Sequence, residues 1–198
     1  MHRWNRLPVI DATINGKGPF RLIVDTGAAG LVLKSELVRK LELPDPPGFP
    51  SGAAMVQLQT PGGPVSGSLG YVLSLEVGDA RLQGIWTVGV DMPFGDEVDG
   101  VVGMNVFTEC LLTYDYPRNR IQLSQGALPN ANGRDILSFS SSGSPSSHPI
   151  IELEIDRKAT PFMIDTGFGG WFRMPAERVE QLKIVEGPVA GTKSNSVG

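Results

Sequence analysis

Short runs in which apolar and polar residues alternate cover much of the chain. Residues 8–14 and 55–59 show this alternation, which is typical of a β-strand that buries one face. The 25 Gly and 16 Pro fall at short intervals between such runs, where they indicate turns. Short helices are predicted for residues 35–43, with Ser35 as the N-cap, and for residues 175–184, with Pro175 in the first turn. We therefore predict an all-β fold with few helices.

The chain contains an internal repeat. The run Phe20-Arg-Leu-Ile-Val-Asp-Thr-Gly, which carries Asp25, returns as Pro161-Phe-Met-Ile-Asp-Thr-Gly around Asp165, 140 positions later. An alternating strand and a turn precede each copy, and a second apolar strand follows it. Between the copies, residues 138–147 are mostly Ser, which is the composition of a linker. The repeat predicts two lobes joined by a flexible stretch.

The boundaries of these parts follow from the repeat and the linker. We place the first lobe in residues 1–130, a Ser/Gly-rich linker in residues 131–147, and the start of a second lobe in residues 148–198. Within the first lobe, the pattern predicts a long hairpin with a Gly-rich tip around Gly62 and Gly63. It also predicts an apolar strand that ends at Gly103, a short helical segment after it, and a last hairpin near residues 113–123.

Asp25 and Asp165 are the candidate chemical groups, because each follows an apolar strand and precedes Thr-Gly. A single Asp in this setting more often closes a tight turn through its own backbone. Two copies in matching contexts favour a shared site, since an unpaired buried charge is costly. If the lobes pack about a pseudo-twofold axis, the two carboxylates face each other and share one proton. Such a pair supplies a general acid and a general base for attack by water on an amide carbonyl.

These motifs resemble those of the retropepsin-like and pepsin-like aspartic peptidases, especially the bacterial single-chain members. Ile23-Val-Asp-Thr-Gly-Ala and Met163-Ile-Asp-Thr-Gly are similar to the active-site motif of the family, and Val101-Val-Gly is similar to its second signature. The resemblance covers nearly the whole chain. It implies a bilobal aspartic-protease fold and an aspartic endopeptidase that acts on a peptide or protein substrate without a cofactor or metal.

The resemblance also assigns roles to individual residues. The implied catalytic residues are Asp25 and Asp165. The implied supports are Thr26, Gly27, Thr166 and Gly167 in the active-site turns, Val101, Val102 and Gly103 in a bracing strand, and Gly62 and Gly63 in a flap that contacts substrate. The two Thr hydroxyls would hold the turns together. Bacterial relatives are commonly exported, so the resemblance also implies a periplasmic or secreted location.

The sequence departs from the family pattern in two places. The counterpart of residues 101–103 in the second lobe would fall beyond residue 198, so we expect a truncated second lobe, and a fragment of a longer protein rather than a degenerate lobe. Such a fragment is expected to be poorly stable and inactive alone. Ala28 and Phe168 stand where acid-acting relatives often have Ser or Thr, whose hydroxyl favours the charged carboxylate. We therefore expect an optimum in the weakly acidic range.

Other function classes find little support. The net charge of −4 and the absence of a Lys/Arg run predict no nucleic-acid partner, and no apolar stretch has the length of a membrane span. Residues 1–6 lack the apolar middle of a secretory signal. Cys110 is the single cysteine, and His2 and His148 are expected to be solvated, so neither a cysteine or serine hydrolase nor a metal centre is indicated.

Two alternatives of the same fold remain open. One is a noncatalytic module that binds peptides in the cleft. The other is a homodimer that forms its site from the Asp25 residues of two chains.

Overall fold

The computed structural model of the chain describes residues 1–50, 55–60, 63–91, 95–141, 148–170, 172–183 and 186. These residues form an all-β protein of the kind predicted, with two short α-helices and a 3₁₀ helix. The eight strands of the largest sheet are β1 His2–Trp4, β2 Leu7–Ile14, β3 Lys17–Asp25, β4 Leu31–Lys34, β5 Met55–Thr60, β6 Gly63–Val77, β7 Ala80–Val90 and β8 Gly100–Gly103.

The order of strands in this sheet brings distant parts of the chain together around β3. The order is β1-β2-β3-β8-β4-β7-β6-β5, and β2 also pairs with β6, so the sheet closes on itself. The turn between β2 and β3 has positive φ angles at Asn15 and Gly16, as expected for an Asn-Gly hairpin. Strand β8 runs parallel to β3 and antiparallel to β4, and so lies between them.

One large apolar core lies inside the closed sheet. It is formed by alternate residues of β2 and β3 together with side chains from β4, β6, β8, the 3₁₀ helix Met104–Phe107 and helix α1 (Ser35–Lys40). Helix α1 adds Leu37 and Val38 to this core. The helix begins at Ser35 as predicted, but the predicted N-cap and the predicted end at residue 43 were wrong. Lys34 is the N-cap and makes no side-chain cap, and Glu42 adopts a left-handed φ of +52°, which stops the helix before residue 43.

A separate two-stranded hairpin closes the first lobe, as the sequence predicts. Strand β9 (Leu111–Asp115) pairs antiparallel with β10 (Arg120–Ser124), so that Tyr114 lies opposite Ile121. Both of these side chains are partly buried against the large core. The hairpin therefore packs against the core of the first lobe, near the end of β3 at Asp25.

The second lobe consists of a small sheet and one short helix within the described residues. Strands β11 (Ser140–Ser141), β12 (Pro149–Ile155) and β13 (Lys158–Met163) form a sheet in that order, and helix α2 spans Ala176–Val179. Strand β11 falls inside the predicted linker, where its two Ser residues pair with the first residues of β12. Helix α2 is shorter than predicted, and Pro175 is its N-cap.

The β12–β13 hairpin repeats the β2–β3 hairpin with one difference in burial. Pairing of Ile151 with Phe162 repeats the pairing of Ile10 with Leu22. Ile10 and Leu22 are buried in the core, whereas Ile151 and Phe162 are only half-buried. The described residues of the second lobe thus leave open the apolar face that the first lobe covers.

Candidate active site

Asp25 and Asp165 meet at the junction of the two lobes. Asp25 is the last residue of β3 and is only 1% exposed, and Asp165 follows β13 and is half-buried. Each carboxylate lies against the glycine of the opposite turn. A Cβ atom placed on Gly27 would lie 2.6 Å from Cγ of Asp165, and one placed on Gly167 would overlap the carboxylate of Asp25. Only glycine permits so close an approach at either turn.

Backbone N–H groups hold one oxygen of each carboxylate. Oδ1 of Asp25 accepts hydrogen bonds from Gly27 N at 2.7 Å and from Gly167 N at 3.1 Å. Oδ1 of Asp165 accepts a hydrogen bond from Gly167 N at 2.8 Å. Oδ2 of Asp25 is buried and has no hydrogen-bond partner among the described residues. A proton placed between the two carboxylates would satisfy this atom.

Burial changes the acidity of Asp25. The pKa of Asp25 is raised from 3.8 to about 7, first by desolvation and next by the nearby carboxylate of Asp165. The N–H groups of Gly27 and Gly167 oppose this rise because they favour the charged form. Neither Ala28 nor Phe168 carries a hydroxyl that could donate to a carboxylate and lower the pKa further. The pair therefore retains a proton through the weakly acidic range.

The two Thr side chains bind the turns to each other with near twofold symmetry. Thr26 N donates to Oγ1 of Thr166, and Thr166 N donates to Oγ1 of Thr26, both at 3.0 Å. Each hydroxyl then donates to a backbone carbonyl of the other lobe, Thr26 to Ile164 O at 2.5 Å and Thr166 to Val24 O at 2.9 Å. These four hydrogen bonds fix the separation of the two Asp residues.

Strand β8 supports the first turn from behind. Asp25 is in register with Gly103, and Val24 is in register with Val102. Gly103 N donates to Gly30 O at 3.0 Å, which ties the strand to the loop after Asp25. A Cβ atom on Gly103 would overlap the carbonyl oxygen of Ala28, so the loop can lie this close only to glycine.

The β5–β6 hairpin reaches over the site from the first lobe. Thr60 pairs with Gly63 at its end, and Oγ1 of Thr60 donates to Gly63 O at 2.8 Å. Gly63 has a φ of +109°, whereas Gly62 lies outside the described residues. Gln59, Thr60, Gly27 and Asp165 border a cleft of about 1240 Å³, whose other wall is formed mainly by apolar side chains of the second lobe.

Two side chains at the site were not found from the sequence. The hydroxyl of Tyr114 lies 3.2 Å from Oγ1 of Thr166, although Tyr114 lies outside both copies of the repeat. His148 was expected to be solvated, and that expectation was wrong. Its ring is half-buried, and Nδ1 lies 3.2 Å from Thr26 O, which can only accept, so Nδ1 carries the proton. The one sequence signal for His148 is its place directly before the second copy, where the first copy has Leu7.

One of the two histidines, His2, lies away from the cleft. His2 is exposed and pairs with Asp11 at 2.7 Å. Phe172 is 70% exposed at the edge of the cleft, and Trp171 lies outside the described residues. In the described parts of the chain, no group of three His, Cys, Asp or Glu is arranged to hold a metal ion, and no helix has the length and apolarity needed to cross a membrane.

Comparison with known proteins agrees with this geometry. Residues 10–106, which run from β2 into the 3₁₀ helix, match the family model described as aspartyl protease. None of the curated proteins matches the chain. The matched segment contains Asp25-Thr-Gly, the β5–β6 hairpin and the β8 strand, which are the parts that the first lobe contributes to the site. Residues 10–106, which make up most of the first lobe, are therefore similar to the aspartyl protease family.

Proposed function

We propose that the chain is an aspartic endopeptidase in which Asp25 and Asp165 activate a water molecule between them. One observation carries the proposal. Oδ2 of Asp25 is buried without a hydrogen-bond partner among the described residues, directly beside a second carboxylate. A buried, unpaired oxygen is costly unless a proton joins it to its neighbour. A protease family and a shared proton together support general acid–base hydrolysis.

The raised pKa of Asp25 assigns the starting roles. Asp25 holds the shared proton, and the more exposed Asp165 acts as the base. Asp165 accepts a proton from water as the water oxygen bonds to the carbonyl carbon of the substrate, while Asp25 donates its proton to the developing oxyanion. When the C–N bond breaks, Asp165 passes its proton to the leaving amine, and Asp25 recovers its proton from the hydroxyl formed on the former carbonyl oxygen as the C=O bond re-forms. Both carboxyl groups then return to their starting states.

The remaining predicted residues have supporting roles in this proposal. Thr26 and Thr166 hold the two turns at the required separation, and Gly27 and Gly167 permit the close approach of the carboxylates. Residues 101–103 brace the first turn. The hairpin tip near Gly62 and Gly63 closes over the bound peptide. The open cleft beneath it has room for several residues of an extended chain.

The exposed face of the second lobe favours the proposal that this lobe is incomplete within residues 148–198. In the first lobe the matching face is covered by strands β6 and β8 and helix α1. The same observation supports the alternative of a noncatalytic peptide-binding module, since a poorly supported second lobe would hold Asp165 less firmly. The homodimer alternative is less well supported, because Asp25 already faces a carboxylate of its own chain.

Cleavage of a mixed peptide library across acidic to neutral pH tests the proposal. Asp25→Asn and Asp165→Asn should each abolish cleavage, and a statine-type inhibitor should block the unmodified protein. Asp91→Asn is the matched control, because Asp91 is an exposed carboxylate that does not line the cleft, and it should leave cleavage unchanged. Peptide binding without cleavage at every pH would contradict the enzyme and support the binding module.

A further inference from the structure

Tyr114 joins the first lobe to the active-site turn of the second. It lies on β9, outside both copies of the repeat, and its ring packs against the large core. Its hydroxyl lies 3.2 Å from Oγ1 of Thr166 and 3.4 Å from Val24 O. Thr166 is the residue directly after Asp165, so this contact reaches the second carboxylate through a single residue.

The hydrogens at this point can be assigned. Thr166 has one hydroxyl hydrogen, which it donates to Val24 O at 2.9 Å. Its oxygen accepts from Thr26 N, and it has capacity for one more donor. Tyr114 fills that position, since the hydrogen of Thr166 is already donated to Val24 O and the Tyr114 oxygen lies nearer to Oγ1 of Thr166 than to Val24 O. Burial raises the pKa of Tyr114 above its ordinary value, so the phenol remains a donor at any pH where the site would work.

The contact makes the two halves of the site unequal. Oγ1 of Thr26 donates to Ile164 O and accepts from Thr166 N, and those are its partners in the described structure. Oγ1 of Thr166 has three partners, and the third is a residue of the opposite lobe. The turn with the extra hydrogen bond belongs to the second lobe. Fewer side chains are buried in the described part of this lobe than in the first lobe.

We propose that Tyr114 is a positioning residue that sets Asp165 opposite Asp25 by holding the hydroxyl of Thr166. The inference rests on the proposed function. It assigns to the first lobe part of the support that the second lobe lacks. The Thr pair alone fixes the turns relative to each other, whereas Tyr114 anchors the second turn to the core of the first lobe.

The ring of Tyr114 is stacked against the ring of Tyr116, which in turn contacts Arg3. Tyr116 lies nearly parallel to Tyr114, with 5.9 Å between the ring centroids. The guanidinium of Arg3 lies over the ring of Tyr116 at 5.6 Å and donates to Tyr116 O at 2.9 Å. Because the ring of Tyr114 is held from both sides, removal of its hydroxyl alone should leave the ring in place. Phenylalanine is therefore the informative substitution.

Tyr114→Phe is compared with Tyr116→Phe, which removes the same atom from the adjacent ring. Tyr114→Phe should lower kcat about tenfold, as a small misplacement of reacting groups does, with KM changed less than about twofold. It should also move the alkaline limb of the pH profile to lower pH, because a less firmly held Asp165 raises the pKa of Asp25 less. Tyr116→Phe should leave kcat and the pH profile unchanged.

A second readout does not depend on cleavage. The carboxyl carbon of Asp25, labelled with ¹³C and followed by NMR, should titrate at lower pH in Tyr114→Phe than in the unmodified protein and in Tyr116→Phe. This measurement tests the positioning role of Tyr114 separately from the proposed function, because a protein without peptidase activity can still show the change in the titration of Asp25.

Two results would overturn the positioning role. One is a Tyr114→Phe variant that melts at lower temperature but keeps the unmodified kcat and carboxyl titration per folded molecule, which would make Tyr114 a structural residue only. The other is an equal change in both variants, which would assign the effect to the aromatic stack.

Discussion

The acidity of Asp25 gives a direct prediction for the dependence of rate on pH. The pair is active when it holds one proton, and the pKa of Asp25 is raised to about 7 by burial and by Asp165. Above that value the proton is lost, and kcat/KM should fall about tenfold per pH unit. We expect an optimum in the weakly acidic range, measured as kcat/KM from pH 3 to pH 9. A maximum at strongly acidic pH would contradict this assignment.

The same group should make the protein less stable at alkaline pH. In the unfolded chain Asp25 ionises near 3.8, whereas in the folded chain it holds its proton to about 7. The unfolded state is therefore favoured increasingly as pH rises from about 4 to 7, and the full cost is present above 7. Asp25→Asn removes this cost and should stabilise the protein at pH 8 by up to roughly 4 kcal/mol, at 1.36 kcal/mol per pKa unit.

The measurement is thermal unfolding of both proteins at pH 8 and near pH 3.5. At the lower pH Asp25 is protonated in both states, so the two proteins should melt at similar temperatures. Asp91→Asn controls for the loss of one surface charge. If Asp25→Asn were no more stable than the unmodified protein at pH 8, the carboxylate would not be held at a raised pKa.

The contact of His148 with the first turn gives a prediction of a different kind. Nδ1 of His148 donates to Thr26 O, which lies one residue after Asp25. His148→Leu copies the residue at the matching position of the first repeat, Leu7, and removes the donor. We expect a fall of about threefold to tenfold in kcat, because the first turn loses one cross-lobe hydrogen bond. His2→Leu, at an exposed site, should have no effect on kcat.

Sequence reasoning found the central residues of the candidate site and missed its cross-lobe supports. Asp25 and Asp165 were found because the repeat is local and shows the same signal twice. Tyr114 and His148 were missed because a single Tyr or His carries no local pattern. Their role depends on which strand the fold brings beside the turns, 52 and 122 positions away along the chain.

At the scale of the element, strand β8 yields a prediction about its two terminal glycines. A Cβ atom on Gly103 would overlap the carbonyl oxygen of Ala28, beside the first active-site turn. Gly103→Ala should therefore displace that turn, lower the free energy of unfolding by about 2 kcal/mol or more, and lower kcat by at least about 100-fold. Thermal unfolding and kcat per folded molecule are the measurements.

Gly100→Ala is the matched control for this change. Gly100 begins the same strand, and its added Cβ would overlap the carbonyl oxygen of Val32, away from the turn. The two variants should lose similar stability, but Gly100→Ala should keep the kcat of the unmodified protein. Similar kcat values for both variants would show that β8 supports the lobe without bracing the turn.

Strands were easier to predict than their ends and helices. Alternation and the Asn15-Gly16 turn indicate β2 and β3 because the apolar period and the turn chemistry agree. The predicted end of α1 was wrong because the left-handed φ of Glu42 stops the helix early, and the predicted N-cap was wrong because the cap residue is Lys34, which makes no side-chain cap. Ser140 and Ser141 look like linker residues, yet an available edge of β12 pairs with them. Propensity is a weak signal where a neighbouring strand offers hydrogen bonds.

At the scale of the whole molecule, the two lobes have similar hairpins and unequal cores. The repeat predicted that β12 and β13 form a hairpin like that of β2 and β3, because both copies carry the same alternation. Sequence could not give the degree of burial, which depends on what covers each hairpin. Val24 is 1% exposed, whereas Ile164, at the same place in the repeat, is 42% exposed. The hydrophobic stabilisation of the second hairpin is correspondingly smaller.

Amide hydrogen exchange should reveal this inequality within one molecule. Stability varies across a protein with the number of buried apolar contacts, and the β12–β13 hairpin has fewer of them than β2–β3. Exchange measured by mass spectrometry under native conditions should be at least about 100-fold faster in residues 149–163 than in residues 7–25. The β9–β10 hairpin, which packs on the first core, serves as an internal reference and should exchange at an intermediate rate. Equal protection of both repeats would mean that the open face is covered in solution. In that case, protection that falls on dilution, together with a doubled mass in light scattering, would identify a second copy as the cover.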